Sequence, residues 1–221
     1  VTGGAGTDEF IVAAGTDTIN DLNTGEVLKV SSGATANATV ESDFAASSAT
    51  ENDGGTVTLT VANDVDVDLS SATVNTNSAD GYTITASGNS AASSLVGSDG
   101  ADDITGGNSG DTIQGLLGND TVTGGAGDDS FVYSGQDEIV GDRIDGNAGT
   151  DTVVLDTAAG NYDFDALLGA VSGIERLELS GQGDYTVDLG DSNNLTAESG
   201  TLEIARSSGT GAVVIDASAM A

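Results

Sequence analysis

The sequence predicts an all-β protein, a parallel β-roll or β-solenoid with irregular β-helical connecting segments. Three observations carry that expectation. A nine-residue unit repeats between residues 88 and 132. Its turn half is rich in Gly and Asp, which suit tight turns, and the 221 residues contain 33 Gly and no Pro. Outside the repeat, short apolar or alternating runs are separated by Gly, Ser, Asn and Asp.

The repeat reads GNSAASSLV, GSDGADDIT, GGNSGDTIQ, GLLGNDTVT, GGAGDDSFV. Position one is Gly throughout: Gly88, Gly97, Gly106, Gly115 and Gly124. Position six is Ser93, then Asp102, Asp111, Asp120 and Asp129; position eight is Leu95, Ile104, Ile113, Val122 and Phe131. Four consecutive Asp in one register would arise by chance roughly once in 4,000 trials. Six turn residues and three strand residues make half a coil. Two units make an 18-residue coil, and coils stack at the strand spacing of about 4.8 Å. Position eight points inward and forms a thin core.

Further copies flank this block. GGAGTDEFI (3–11) fits every position, AGTDTIN (14–20) keeps Gly15, Asp17 and Ile19, and DLNTGEVLK (21–29) keeps Glu26 and Leu28. GNAGTDTVV (146–154) fits again with Asp151 and Val153. A longer period aligns 3–22 with 124–144 and, more weakly, 54–72 with 199–219, as a window from a tandem array would. The chain opens on Val1 without a signal-peptide pattern and reads as part of something longer.

Strands are expected at 57–61, 65–69, 82–85, 174–179, 185–189, 201–204 and 212–216. The one helix candidate is YDFDALLGAV (162–171). Residues 31–53, rich in Ala, Ser and Thr, read as a loop or small irregular layer. Thr58 and Thr60 alternate on one face, but no Thr column repeats along the chain. Four segments follow: 1–30, a partial roll; 31–87, an irregular solenoid; 88–155, the main roll; 156–221, a further solenoid segment that continues into another repeat.

Composition excludes whole classes of chemistry. With no His and no Cys there is no Ser-His-Asp triad, no H-E-x-x-H site, no thiolate and no disulfide. Four Lys and Arg against 36 Asp and Glu give a net charge of −32. That charge disfavours nucleic acid and anionic lipid as partners. No run approaches the roughly 18 apolar residues of a membrane span. Cations are the expected partner.

The acid is mostly Asp, 27 against 9 Glu. Residues 18 apart lie on the same roll edge, so Asp102 stacks on Asp120 and Asp111 on Asp129. Like charges at one strand spacing repel until a cation sits between them. Calcium takes six to eight oxygens at roughly 2.3–2.6 Å, and turn carbonyls can complete the shell. Several Ca2+ ions are therefore expected. The candidate carboxylates are Asp102, Asp111, Asp120, Asp129, Asp8, Asp17, Asp151, Asp137 and Glu26. The candidate turn glycines are Gly4, Gly6, Gly100, Gly107, Gly118, Gly125 and Gly127. Asp66 and Asp68 read as the solvated face of a strand, and Tyr82, Tyr133, Tyr162 and Tyr185 as packing.

GGAGTDEFI and GGAGDDSFV match G-G-x-G-x-D-x-U-x, so the chain resembles the repeats-in-toxin (RTX) proteins. It departs from the pattern at Ser93, Ser98, Leu116 and Ser109. The resemblance implies calcium in the turns and type I secretion from a Gram-negative cell. It also implies folding outside the cell or at its surface, where calcium is high. The mixture of RTX blocks with Ser/Thr/Ala-rich strands is similar to calcium-dependent surface-layer proteins and large RTX adhesins. The expected function is thus non-enzymatic: an extracellular structural or assembly element, self-associating or packed against neighbouring copies. The alternative is a secretion and folding module of a type I secreted enzyme. Catalysis by carboxylate pairs fits poorly, because these acids sit in repeat register and not in one distinct environment. A Thr face for ice or carbohydrate lacks a repeating ladder in the sequence.

Overall fold

A computed structural model describes residues 1–75, 80–156, 160–163, 168–182, 184–188, 203–207 and 212–216. Every strand pair among them is parallel. Two long sheets run along the stack. One orders Thr16–Leu22, Thr35–Val40, Thr56–Val61, Thr83–Thr85, Asp103–Thr105, Thr121–Ala126, Asp142–Ala148 and Leu168–Ser172. The other orders Phe44–Ala45, Val67–Asp68, Ser94–Val96, Thr112–Gln114, Ser130–Tyr133, Thr152–Leu155, Arg176–Leu179 and Glu203–Arg206. From Thr35 to Leu179 each coil contributes one strand to each long sheet, so the chain winds as a β-solenoid.

The inner faces follow from the period-two geometry of a strand. Position-eight residues Ile104 and Val122 stack on Ile144 in one sheet, and Leu95, Ile113 and Phe131 on Val153 and Leu177 in the other. All are buried. Around the roll, coils gain a third face. Glu9–Val12, Val27–Ser31, Glu51–Asp53 and Thr73–Val74 form one additional sheet; Gly160–Asp163, Tyr185–Asp188 and Val213–Asp216 form another.

Three expectations are corrected. The helix candidate at 162–171 is strand at residues 162–163 and 168–171; residues 164–167 lie outside the described residues. Its apolar spacing suits a coil face as well as a helix. Residues 31–53 are not a loop but contain three strands, Thr35–Val40, Phe44–Ala45 and Glu51–Asp53. Ala34, Ala36, Ala38 and Val40 alternate inward, and Ala36, Ala38 and Val40 register against Val57, Leu59 and Val61. Small side chains there concealed a genuine inner face. Finally, there is a Thr ladder: Thr39, Thr60, Thr85, Thr105 and Thr123 stand in one row on the outer face. Successive members are 21, 25, 20 and 18 residues apart, so no fixed sequence period reveals them. β-branched neighbours of this kind suit a pleated, half-buried surface.

Candidate metal centre

Positions six and eight are two apart in an extended chain, so they share a face. The Asp two residues before each core residue is therefore turned inward at the corner of the coil. Asp102, Asp111, Asp120 and Asp129 are only 3, 2, 1 and 1% exposed. Each carboxylate folds back beneath the position-one Gly of its own unit. A Cβ on Gly97 would lie 2.5 Å from Asp102 Oδ2, and one on Gly106 2.6 Å from Asp111 Oδ2. Gly115 and Gly124 are closer still to Asp120 and Asp129. The unvarying first Gly makes room for the acid.

The carboxylates form two ladders, each Oδ1 accepting the backbone N–H of the rung one coil earlier. On one edge Tyr82 N donates to Asp102 (2.6 Å), Asp102 N to Asp120 (2.8 Å) and Asp120 N to Asp142 (2.8 Å). On the other, Ser93 N donates to Asp111 (2.7 Å), Asp111 N to Asp129 (2.7 Å) and Asp129 N to Asp151 (2.7 Å). Asp151 N donates in turn to Glu175 Oε2 (2.9 Å). Charge-assisted bonds of this type are stronger than neutral ones, so the acids tie coil to coil as well as lining the edges.

The structure gathers most of the predicted acids into these ladders. Asp102, Asp111, Asp120, Asp129 and Asp151 are rungs. Asp8 and Glu26 face each other at the N-terminal turn, where a Cβ on Gly3 would lie 2.7 Å from Asp8 Oδ2 and 2.9 Å from Glu26 Oε1. Asp17 is exposed, registers with Ala36 and lines a shallow hollow with Asp8. Asp137 is exposed outside both ladders, in a hollow with Asp99 and Gly118. Of the glycines, Gly4, Gly6, Gly118, Gly125 and Gly127 have positive φ, whereas Gly100 and Gly107 do not.

Two rungs escaped the sequence reading. Asp142 occupies the ladder position expected nearer Asp137, because the coil between the strands beginning at Thr121 and Asp142 is lengthened to a 22-residue register. Ile139 of that insertion is fully buried. Glu175 extends the second ladder by another enlarged coil. The signal was present: Asp142-Arg-Ile144 and Glu175-Arg-Leu177 both read acid-x-apolar.

Several buried carboxylate oxygens have no hydrogen-bond partner: Asp120 Oδ2, Asp129 Oδ2, Asp8 Oδ2 and Glu26 Oε1. Leaving such oxygens unpaired is costly. Burial first, and neighbouring carboxylates after it, raise the carboxyl pKa of Asp120 to about 8, Asp129 to about 7, Asp142 to about 7 and Asp102 to about 6. Burial likewise raises Glu26. Unpartnered anionic oxygens among backbone carbonyls, with no nitrogen or sulfur ligand, fit a hard cation such as calcium. Among the described residues no three acidic side chains converge as a metal cluster. An ion would thus take one or two carboxylates and draw its other oxygens from the turn backbone.

The residues that build these turns match a known repeat family. Residues 1–20, 85–112, 105–137 and 133–160 match the RTX calcium-binding nonapeptide repeat. The roll is built of RTX calcium-binding nonapeptide repeats. No curated protein and no solved structure gave a significant match. The RTX matches cover the roll coils and the N-terminal turn, the places where acids stack in register. Asp142, in the enlarged coil, lies within the fourth match.

The raised carboxyl values make metal-free stability depend on pH. An acid whose folded pKa lies above its unfolded value near 3.8 binds more protons when folded. Its stabilising contribution is complete below about pH 4 and disappears as pH rises through the folded values of about 6 to 8. In calcium-free buffer the RTX coils should therefore melt at higher temperature at pH 5 than at pH 8.5. Thermal melts followed by circular dichroism check this, and a melting point that climbs with pH would contradict the placement of these acids.

Proposed function

We propose that this chain is an extracellular structural element, ordered and polymerised by calcium as a repeat segment of a surface layer, filament or adhesin, and that it has no catalytic role. The carrying observation is the pair of buried acid ladders, which join coil to coil over a continuous stack. The same carboxylates recur in the same environment, which suits repeated cation binding and not the singular environment that acid–base catalysis requires. A net charge of −32 supplies an outer surface that divalent cations can bridge between copies. Proteins with RTX repeats are typically secreted by Gram-negative bacteria, which supports placing this one outside the cell.

Calcium's part is to neutralise the stacked acids, which turns binding energy into folding energy. Asp120 and Asp129 would hold it in the roll, and Asp8 with Glu26 at the N-terminal turn. The chain's own groups do the rest: position-one glycines admit the carboxylates, ladder N–H groups orient them, and the apolar inner face keeps water away. Electron microscopy with and without calcium tests the reading. Ordered polymers that disperse on chelation are expected. A monodisperse particle at millimolar calcium would overturn assembly and favour the secretion-module alternative.

A further inference from the structure

The turns of the roll are of two kinds. At Asp102 and Asp111 the carboxylate is fully satisfied by the protein. Asp102 Oδ2 accepts the N–H of Ser98 (2.6 Å) and its hydroxyl (3.2 Å), while Oδ1 accepts Tyr82 N. Asp111 Oδ2 accepts Gly107 N (2.6 Å), and Oδ1 accepts Ser93 N. In both, the turn's second residue caps the acid four positions later. Neither Ser98 nor Gly107 has a positive φ.

At Asp120 and Asp129 the second residue is in the left-handed region, Leu116 at φ 72° and Gly125 at φ 113°. Its N–H no longer caps the acid, and Oδ2 is buried without a partner. The N-terminal turn follows suit: Gly4 has φ 91°, its N–H goes to Asp21 Oδ2 (3.1 Å), and Asp8 Oδ2 is unpartnered. Leu116 is the telling case, because a leucine reaches this region only against steric resistance. Such strain persists where the surroundings demand it. One coil away, Asp142 is closed differently, by the Tyr133 hydroxyl on its Oδ2 (3.1 Å).

We infer that calcium demand in this roll is uneven: the open turns at Asp8, Asp120 and Asp129 take the ion, whereas the self-capped turns at Asp102 and Asp111 stand without it. The coil at 115–133, open at both edges, becomes the calcium-dependent coil. The coil at 94–114, capped at both edges and stacked on the N-terminal solenoid, is a metal-independent base from which ordering proceeds. The backbone direction at position two sets the class, and at Asp102 the Ser98 N–H and hydroxyl act as a built-in substitute for the cation.

This inference rests on the calcium reading above, and amide hydrogen exchange of the intact chain separates the two. Exchange is measured by mass spectrometry in millimolar calcium and in excess chelator. Segment 115–133 should exchange roughly tenfold faster or more without calcium, while 94–114 changes by less than about twofold. Equal deprotection of both segments would overturn the two-class inference and leave calcium-driven ordering intact. No change in either would overturn the calcium reading, and this inference with it.

Discussion

Chelation should lower the melting midpoint of the chain by about 10–20 °C and remove part, not all, of its far-UV β signal. An ion held at a hundred times its Kd stabilises the folded state by about 2.7 kcal/mol. Of the three open turns, the two within the roll, at Asp120 and Asp129, together contribute about 5 kcal/mol on that scale. In a chain of this size each kcal/mol shifts the midpoint by roughly 2–4 °C. Removing the ion also restores repulsion between buried anions, which works in the same direction. The retained signal should come from the N-terminal solenoid, where Leu22, Leu28, Ala36, Phe44, Leu59 and Leu69 bury a core that needs no acid ladder. Thermal scans with and without chelator are the measurement. Superimposable melts would remove the metal from the account of stability.

The second large effect is expected from Gly124→Ala. A Cβ there would fall on Asp129 Oδ2 and lie 2.9 Å from Gly146 O. Neither can yield cheaply: Asp129 is held by Asp111 N, and Gly146 belongs to the next strand of the stack. Overpacking costs about 1–3 kcal/mol, and losing a hydrogen bond to a charged group about 1.5–3 more. The sum, about 2.5–6 kcal/mol, should appear as a lower denaturant midpoint in calcium. Gly135→Ala is the control. Its Cβ would meet only the flexible Glu138 side chain at 3.6 Å or beyond, and its effect should stay within about 0.5 kcal/mol. If the two substitutions cost the same, the position-one glycines are not there to admit the carboxylates.

Legibility followed the regularity of the coil. Where units are nine residues long, as from Gly97 to Val132, stacking partners can be counted directly, and Asp102 over Asp120 is seen in the structure as counted. Where a coil absorbs an insertion, counting fails. Asp142 and Glu175 were missed because their coils run to 22- and 24-residue registers. The Thr row was missed for the same reason, and the strands at 31–53 because alanine carries little hydrophobic signal.

Composition and period were enough by themselves to determine the parallel roll, its core column and the acids of its edges. The reason is that two-residue alternation along a strand and an 18-residue coil leave each side chain one place to go. Only the folded chain decided which of those acids are already satisfied. That depends on the direction of a single turn peptide, set by φ at Ser98, Gly107, Leu116 and Gly125 and by contacts with neighbouring coils, and residue type does not reveal it: glycine occupies both kinds of turn.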